Sequence, residues 1–508
     1  MTRSSYFVAA CAFVLTIAGS VLSPSPVAAA ASARQPRTLV IRGGIVVDGS
    51  GSPPAGPMDV VIEGNRITQM VAADPVSLGR RGPDFERPTG DRVIDASGMY
   101  VLPGLVDMHA HVSNRGGSSE YQLKLYVANG VTAIRDVGSF ETLKLKKRRA
   151  EGRLVSPRLY VYPFWPRGEG APTNEEETRA MVRSFKERGA DGIKLRALYP
   201  DILFPLADEA NKIGLGTAAH LGQSGVAYAN VEVASRAGVR TIEHHYAQAE
   251  PSLRRTVQSF PGYYNYLHEP DRFHHSPDPY LEADPEKFEH TIKVLLENDT
   301  VLDPTFVVYE PYRDIPRARN TPYLEEYLSP ALADYWKPRL GRHGGFFQNW
   351  TSTDEAKWTE MFRRWMAYVN EFKNRGGRVT TGTDAGNSFT LYGFSNVREM
   401  ELLERAGFHT LEVIRSATLE SARALGESDR GWLRPGYVAD LIVVEGNPVG
   451  NLKVLYATGT PVWDEEGNES RRGGVRYTII DGVVYDAKQV LGEVAEMVRR
   501  ERGRATEP

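Results

Sequence analysis

The 508-residue chain has one cysteine, Cys11, and it lies inside an apolar leader. With that leader removed no thiol remains. That excludes disulfides, a cysteine-ligated zinc site and a thiol nucleophile. An excess of either charge is also missing: 61 Lys and Arg stand against 64 Asp and Glu, for a formal net charge of -3. Such a balance carries no electrostatic footprint for nucleic acid or an anionic lipid surface. Beyond the leader no apolar run is long enough to span a bilayer, and no low-complexity tract occurs. What is present is an ordinary globular composition, 41% hydrophobic and 25% charged, on a chain long enough to bury a large core.

The first 33 residues have the order of a secretory signal. Arg3 is the positive start, Tyr6 to Leu22 the apolar stretch, and small residues at Ala30 to Ala33 offer cleavage sites. "VAAC" at Val8 to Cys11 has the form of a lipoprotein box. The apolar run before it is too short and continues past it, so cleavage near residues 30–33 and export to the periplasm or medium are expected.

Both ends of the mature chain read as β-structure. "TLVIRGGIVVDG" alternates, and "DVVIEGNRITQMV" holds two short runs about Gly64-Asn65, a hairpin signal. "ADLIVVEGNP" and "RYTIIDGVVYD" repeat the pattern near the other end, the latter with Asp481-Gly482 as its turn. Neither end supplies enough strands to cover itself. Residues 34–100 and 429–486 are therefore expected to form one small β-sandwich. Between them, residues 101–428 alternate apolar strands with helical patterns: "LPGLVDMHAH", "GVTAIRDVG", "RLYVYP", "DGIKLR", "GLGTAAHL", "VRTIEHH", "DTVLDPTFVV" and "RVTTGTDAG". Eight such units predict an α/β chain with a (β/α)8 TIM-type barrel. Leu411, Ile414, Ala422 and Leu425 then recur at helical spacing, as an outer helix would. An insert over about 251–353, rich in Tyr, Phe, His and Pro, exceeds ordinary loop lengths and reads as a lid or binding loop. Residues 487–508 form a charged tail, in which Val490, Val494, Met497 and Val498 share one helical face.

The chemistry is concentrated at strand ends. In "GLVDMHAHV" His109 and His111 are two apart, so both point to one side of the first barrel strand. Barrel active sites lie at the C-terminal ends of the strands. There the sequence also places Lys194 in "GIKLR", His220 in "TAAH", His244 in "TIEHH" and Asp384 in "TGTDAG". Imidazoles, a carboxylate and a modifiable lysine suit Zn²⁺ or another borderline divalent ion. One histidine alone would read as a satisfied core residue; six convergent groups do not. His245 is expected to point away from His244 into the packing, and Asp107 and Asp136 to support the site from turns.

These motifs, with "GWLRPGYVADLIVVEGNP" near the end, resemble the amidohydrolase superfamily, most of all its imidazolonepropionase-like and Xaa-Pro dipeptidase (prolidase) group. The resemblance spans nearly the whole mature chain except the aromatic insert and the tail. It implies a barrel with a terminal β-sandwich, and a two-metal site. One ion would be held by His109, His111 and Asp384, and the other by His220 and His244, with carboxylated Lys194 as the bridge. An unmodified Lys194 would leave a single ion. Where relatives often carry His-Gly after the last aspartate, this chain has Tyr392-Gly393 in "LYGFSN", which leaves the substrate open.

The implied function is metal-dependent hydrolysis of an amide bond in a dipeptide, cyclic amide or N-acyl compound, with Asp384 as the proton carrier. Tyr263, Tyr264, Tyr266 and Phe273 of the insert would suit a partly apolar, small-molecule or short-peptide substrate. Ester, lactone or organophosphate hydrolysis at the same site is the alternative. A catalytically silent secreted binding protein is a third, and it predicts a missing ligand. No nucleic-acid partner or membrane span is expected, and a homo-oligomer is left open. N-terminal sequencing of the exported chain should begin between Ala31 and Arg34; a chain that still starts at Met1, or one acylated at Cys11, would overturn the leader assignment.

Overall fold

The computed structural model describes residues 35–506, apart from residues 83, 113–115, 255–259, 266–267, 314, 338, 340–349 and 388. The expected leader, Tyr266 and His343 lie outside the described residues.

Five strands open the chain: β1 (Thr38–Val46), β2 (Ala55–Glu63), β3 (Arg66–Ala72), β4 (Arg92–Asp95) and β5 (Met99–Pro103). Next come eight shorter ones: β6 (Leu105–Ala110), β7 (Val131–Gly138), β8 (Arg158–Pro163), β9 (Gly192–Arg196), β10 (Gly216–His220), β11 (Thr241–Glu243), β12 (Val301–Asp303) and β13 (Arg378–Val379). The last five are β14 (Leu441–Glu445), β15 (Thr460–Trp463), β16 (Glu469–Arg472), β17 (Gly474–Ile480) and β18 (Val483–Asp486).

The two ends meet in one sheet. Its order is β18-β17-β14-β5-β1-β2-β3, with β4 also paired to β1. The join is antiparallel, Ile442 of β14 facing Leu102 of β5. Both expected hairpins are present: β2 turns into β3 through Gly64-Asn65, and β17 into β18 through Asp481-Gly482, both at positive φ (53° and 78°) as a tight hairpin turn requires. Leu39, Ile41, Val60, Ile62, Val101, Leu441, Val443 and Ile479 from both ends share one buried core. That shared core explains why neither end is self-sufficient. β15 and β16 form a separate ribbon, on which Trp463 is exposed.

The middle strands are parallel and fall in two sheets, β6-β7-β8 and β13-β12-β11-β10-β9. Hydrogen bonds cross both gaps. Trp165 N donates to Lys194 O at 2.9 Å beside a Phe164–Lys194 bridge, and Met108 N donates to Thr381 O at 2.8 Å. Tyr162 fills the space between the sheets, where a Cβ on Gly192 or Gly216 would fall 2.2 Å or 2.0 Å from it. Bare backbone at those two positions is what makes room for the ring.

Helices cover the outside, and their sequences show why they form where they do. Glu175–Glu187 is capped by Asn174, carries three glutamates in its first turn, and buries Thr178, Val182 and Phe185 on one stripe. Ser352–Asn374 starts at a Thr351–Asp354 capping box and buries Trp358, Met361, Phe362, Trp365, Val369 and Phe372 at three- and four-residue steps. Among the described residues of the insert, Phe273 is buried, 5.1 Å from the Tyr312 ring and 6.1 Å from Trp358. Tyr263, by contrast, is exposed, and Tyr264 stacks on Phe260 at 3.9 Å. The insert's aromatic residues thus divide between core and surface. No helix among the described residues is long and apolar enough to cross a membrane.

The tail is one helix, Ala487–Thr506, lying on the helix Ser119–Ala128. Val490, Val494 and Val498 are buried there, Met497 is partly buried, and Glu493 pairs with Lys124 at 3.1 Å. Each buried aliphatic side chain contributes roughly 1.5–3 kcal/mol. Truncation after Asp486 should therefore lower the thermal midpoint while leaving metal content per folded chain unchanged. Loss of an oligomer with stability preserved would show instead that the helix serves a partner.

Candidate metal centre

His109 is the fifth residue of β6, buried, and His111 follows just past the strand's end with its side chain 19% exposed. Asp384 is not within its strand. β13 stops at Val379, and the chain continues extended beside β6 to a left-handed residue at Asp384, φ 52°. Two bonds hold that extension, Asp384 N to His109 O at 2.7 Å and Thr383 N to Asp107 Oδ1 at 3.0 Å. Asp384 Oδ1 then lies 3.0 Å from His111 Nε2 and 3.8 Å from His109 Nε2. One ligand atom from each of His109, His111 and Asp384 fits within 4.8 Å of the others.

The other three expected residues complete the mouth. His220 ends β10 and His244 follows β11 in the left-handed region, φ 63°. Their rings are 4.6 Å apart, and His109 is also 4.6 Å from His244. His244 Nδ1 bonds Thr305 Oγ1 at 2.7 Å, and its Nε2 is buried with no hydrogen-bond partner. Lys194 sits in the middle of β9 rather than at its end, fully enclosed, with Nζ 3.0 Å from Glu243 Oε2.

Glu243 is the residue that the sequence reading passed over. Completely buried, it bonds Lys194 through Oε2, lies against His109 Nδ1 with the same oxygen, and accepts from Arg135 Nη2 through Oε1 at 2.6 Å. Arg135, also fully buried, reaches Asp303 at 3.2 Å and Thr241 Oγ1 at 2.8 Å as well. His109, Glu243 and Asp303 form a second group with metal-like spacing, but the guanidinium already supplies its cation. Gly382 leaves space for Asp303, since a Cβ there would come within 2.4 Å of the carboxylate. The available signal was opposite charges inside apolar strands, Arg135 in "TAIRDVG" and Glu243 in "TIEHH".

The electrostatics follow from enclosure. Burial, reinforced by the Lys194 charge, lowers the His109 pKa to about 4, so the ring is neutral. Burial drives His220 and His244 the same way. Neutral imidazoles are the form that ligates metal. Burial opposes ionisation of Asp384, yet the His109 and His111 rings hold its carboxyl well below the usual range. Burial lowers Lys194, against the pull of Glu243. Asp107, bonded by His109 N and Thr383, is raised by burial to about 7, and Asp303 to about 8 by burial and the Glu243 charge. Asp136 caps Val112 N at 2.7 Å and accepts from Thr142 at 2.6 Å, steadying the turn after His111.

Other expected residues lie apart. His245 turns into an aromatic box of Tyr246, Tyr309, Trp358 and Trp365. His268 and His275 pair with Asp271 and Asp278 within the insert, His274 with Asp354 of the helix after it, and His290 approaches Glu232. Tyr392 is buried edge-on to Tyr121 and Tyr126. Tyr246, 4.9 Å from the His220 ring, and Tyr309, 5.7 Å from His244, line the aromatic side of the centre.

Comparison with known proteins fits this geometry. An allantoinase from Enterococcus faecalis is 34% identical over 171 residues, 31% of this chain and 32% of that protein, so the chain spans about a third of that relative's length. A crystal structure of a Xaa-Pro dipeptidase with methionine bound in its active site superposes with a TM-score of 0.60 at 20% identity, covering 88% of this chain and 100% of that one. A bottromycin amidohydrolase structure gives 0.62 at 19% identity, covering 92% of each chain. The amidohydrolase family model matches residues 100–485, a span that begins in β5 and ends in β18 and holds every residue of the metal centre, and the chain therefore belongs to the amidohydrolase family.

Proposed function

We propose that the protein is a metal-dependent hydrolase that cleaves an amide bond in a dipeptide, cyclic amide or N-acyl compound. The observation that carries this reading is the convergence of His109, His111 and Asp384 within 4.8 Å beside a His244 Nε2 buried without a partner. An unpartnered buried nitrogen is costly unless something binds it. The donors are nitrogen and oxygen only, which fits zinc or another borderline divalent ion. His109, His111 and Asp384 would hold one ion and His220 and His244 a second, with carboxylated Lys194 as the bridge between them. In this reading the eight parallel strands are a (β/α)8 barrel, a view supported by the hydrogen bonds across both gaps, and the terminal sheet is a small sandwich folded over its own core. The chain acts after export and removal of the leader.

A divalent ion held by His109, His111 and Asp384 would supply Lewis-acid activation of water and of the scissile carbonyl. The chain's own residues do the rest. Asp384, ionised and at the mouth, takes the proton from the attacking water and delivers it to the leaving nitrogen, as general base and then general acid. Neutral His109 keeps its Nε2 edge toward Asp384 because its other edge rests on Glu243. Tyr246 and Tyr309 exclude water from the aromatic side.

Lys194 needs chemical change to serve here, because an ammonium beside bound dications is repelled. Burial favours its neutral amine, which can add CO₂ to give a carbamate with two ligating oxygens. Lys194→Ala should therefore bind one ion fewer than the unaltered protein and lose most activity, with partial rescue by a short-chain carboxylic acid. Full metal content with near-normal turnover would refute the bridge. Asp384→Asn should reduce turnover by about 10²–10⁴-fold. The reaction itself is tested by screening the zinc-loaded mature protein against dipeptide, N-acyl amino acid, cyclic amide, lactone and phosphotriester panels. Turnover confined to the lactones or phosphotriesters would overturn the amide assignment.

A further inference from the structure

Thr305 stands where its backbone favours another residue. It follows β12 and Pro304 with φ 54° and ψ 43°, the left-handed region, and is completely buried. A β-branched side chain is a genuine outlier in that region, and such strain persists where surrounding structure imposes it. The imposing group is Glu399, whose carboxylate accepts from Phe306 N at 2.9 Å and Val307 N at 2.7 Å and so pins the turn. Glycine would adopt this backbone freely. The threonine hydroxyl reaches His244 Nδ1 at 2.7 Å.

That bond selects a tautomer. His244 is fully buried, with Nε2 facing no hydrogen-bond partner. A proton on Nε2 would be an orphaned buried donor, whereas a bare lone pair is more easily tolerated. With the proton on Nδ1, donated to Thr305 Oγ1, the Nε2 lone pair is left bare on a ring whose neighbours at 4.6 Å are His109 and His220. His244 is itself left-handed, so backbone and side-chain bond together set the ring. Resting on the metal-site reading above, we propose that Thr305 is a positioning residue that holds His244 in the Nδ1–H tautomer with Nε2 presented to the metal, and that its strained backbone is tolerated for this bond.

Three variants separate positioning from mere packing, with Zn²⁺ as the probe, chelator competition for affinity, and melting of the metal-free protein for stability. Thr305→Val keeps shape and branching but lacks the hydroxyl. It should weaken zinc binding about 10–100-fold, the usual loss when a partner of a ligating histidine is removed. Thr305→Ser should bind zinc within a few-fold of the unaltered protein. Thr305→Gly, in which relief of the backbone offsets part of the lost packing and hydrogen bond, should melt no lower than the valine variant in the metal-free state and yet weaken zinc binding like it. A purely structural role would move both readouts together. Should Thr305→Val fail to fold, Thr305→Gly decides. Either variant, folded and binding zinc as tightly as the unaltered protein, overturns the proposal. An unaltered protein that binds no zinc would instead refute the metal-site reading beneath it.

Discussion

A single guanidinium ties the middle of the molecule together. Arg135 donates to Met108 O in β6, Thr241 Oγ1 and Glu243 in β11, and Asp303 in β12, with its plane 5.3 Å from the Tyr162 ring. Those partners belong to both parallel sheets, so one charged group crosslinks them where no solvent reaches. Removing one partner of such a buried pair typically costs about 3–5 kcal/mol, because the charge left behind has nowhere to go. The same contact keeps Glu243 ionised directly beneath the proposed metal site. From there Glu243 steadies His109 and Lys194, so the layer that holds the sheets together also aims the ligands.

Strain gathers at the same place. Seven non-glycine residues among those described have positive φ, and three of them, His244, Thr305 and Asp384, are at this centre. Each lies past the end of one of the parallel strands β11, β12 and β13. A strand end that stops short and turns left-handed brings its side chain over the mouth, where a continuing strand would carry it past. The short lengths of β11, β12 and β13 are part of the same geometry. Backbone bonds such as Asp384 N to His109 O, and the Glu399 clamp on Phe306 and Val307, hold these turns against their own preference.

The insert and the tail act at a distance from the ligands. The insert supplies Phe273, and the helix after it supplies Trp358 and Trp365; these pack behind Tyr309, Tyr246 and His245. The aromatic side of the centre is therefore a packed wall of buried rings. The tail helix braces the helix that follows β6 and is tied to the insert by Arg502, which donates to Glu325 O and Leu328 O.

Local rules on the sequence determined a good deal. Alternation at two-residue period placed the terminal strands and both hairpins, and the i, i+2 spacing put His109 and His111 on one side of β6. Polar groups in or just past apolar strand patterns marked the remaining candidates, although Lys194 proved to lie mid-strand in β9 and Asp384 beyond the end of β13. Pairing of β5 with β14 was legible only as a shortage of strands at each end. Other features depended on contacts between residues far apart in the chain. Glu243 looked like one more polar neighbour of His244 until Arg135, 108 positions away, faced it across the interior. Thr305 fell inside the strand pattern "DTVLDPTFVV", but the strand stops at Asp303 and the threonine hydroxyl meets a histidine 61 positions earlier. The aromatic insert had a composition but no address, since burial of Phe273 and exposure of Tyr263 depend on which rings fold against the body. Periodicity reports which face a side chain takes; only the tertiary structure decides which buried charge it meets there.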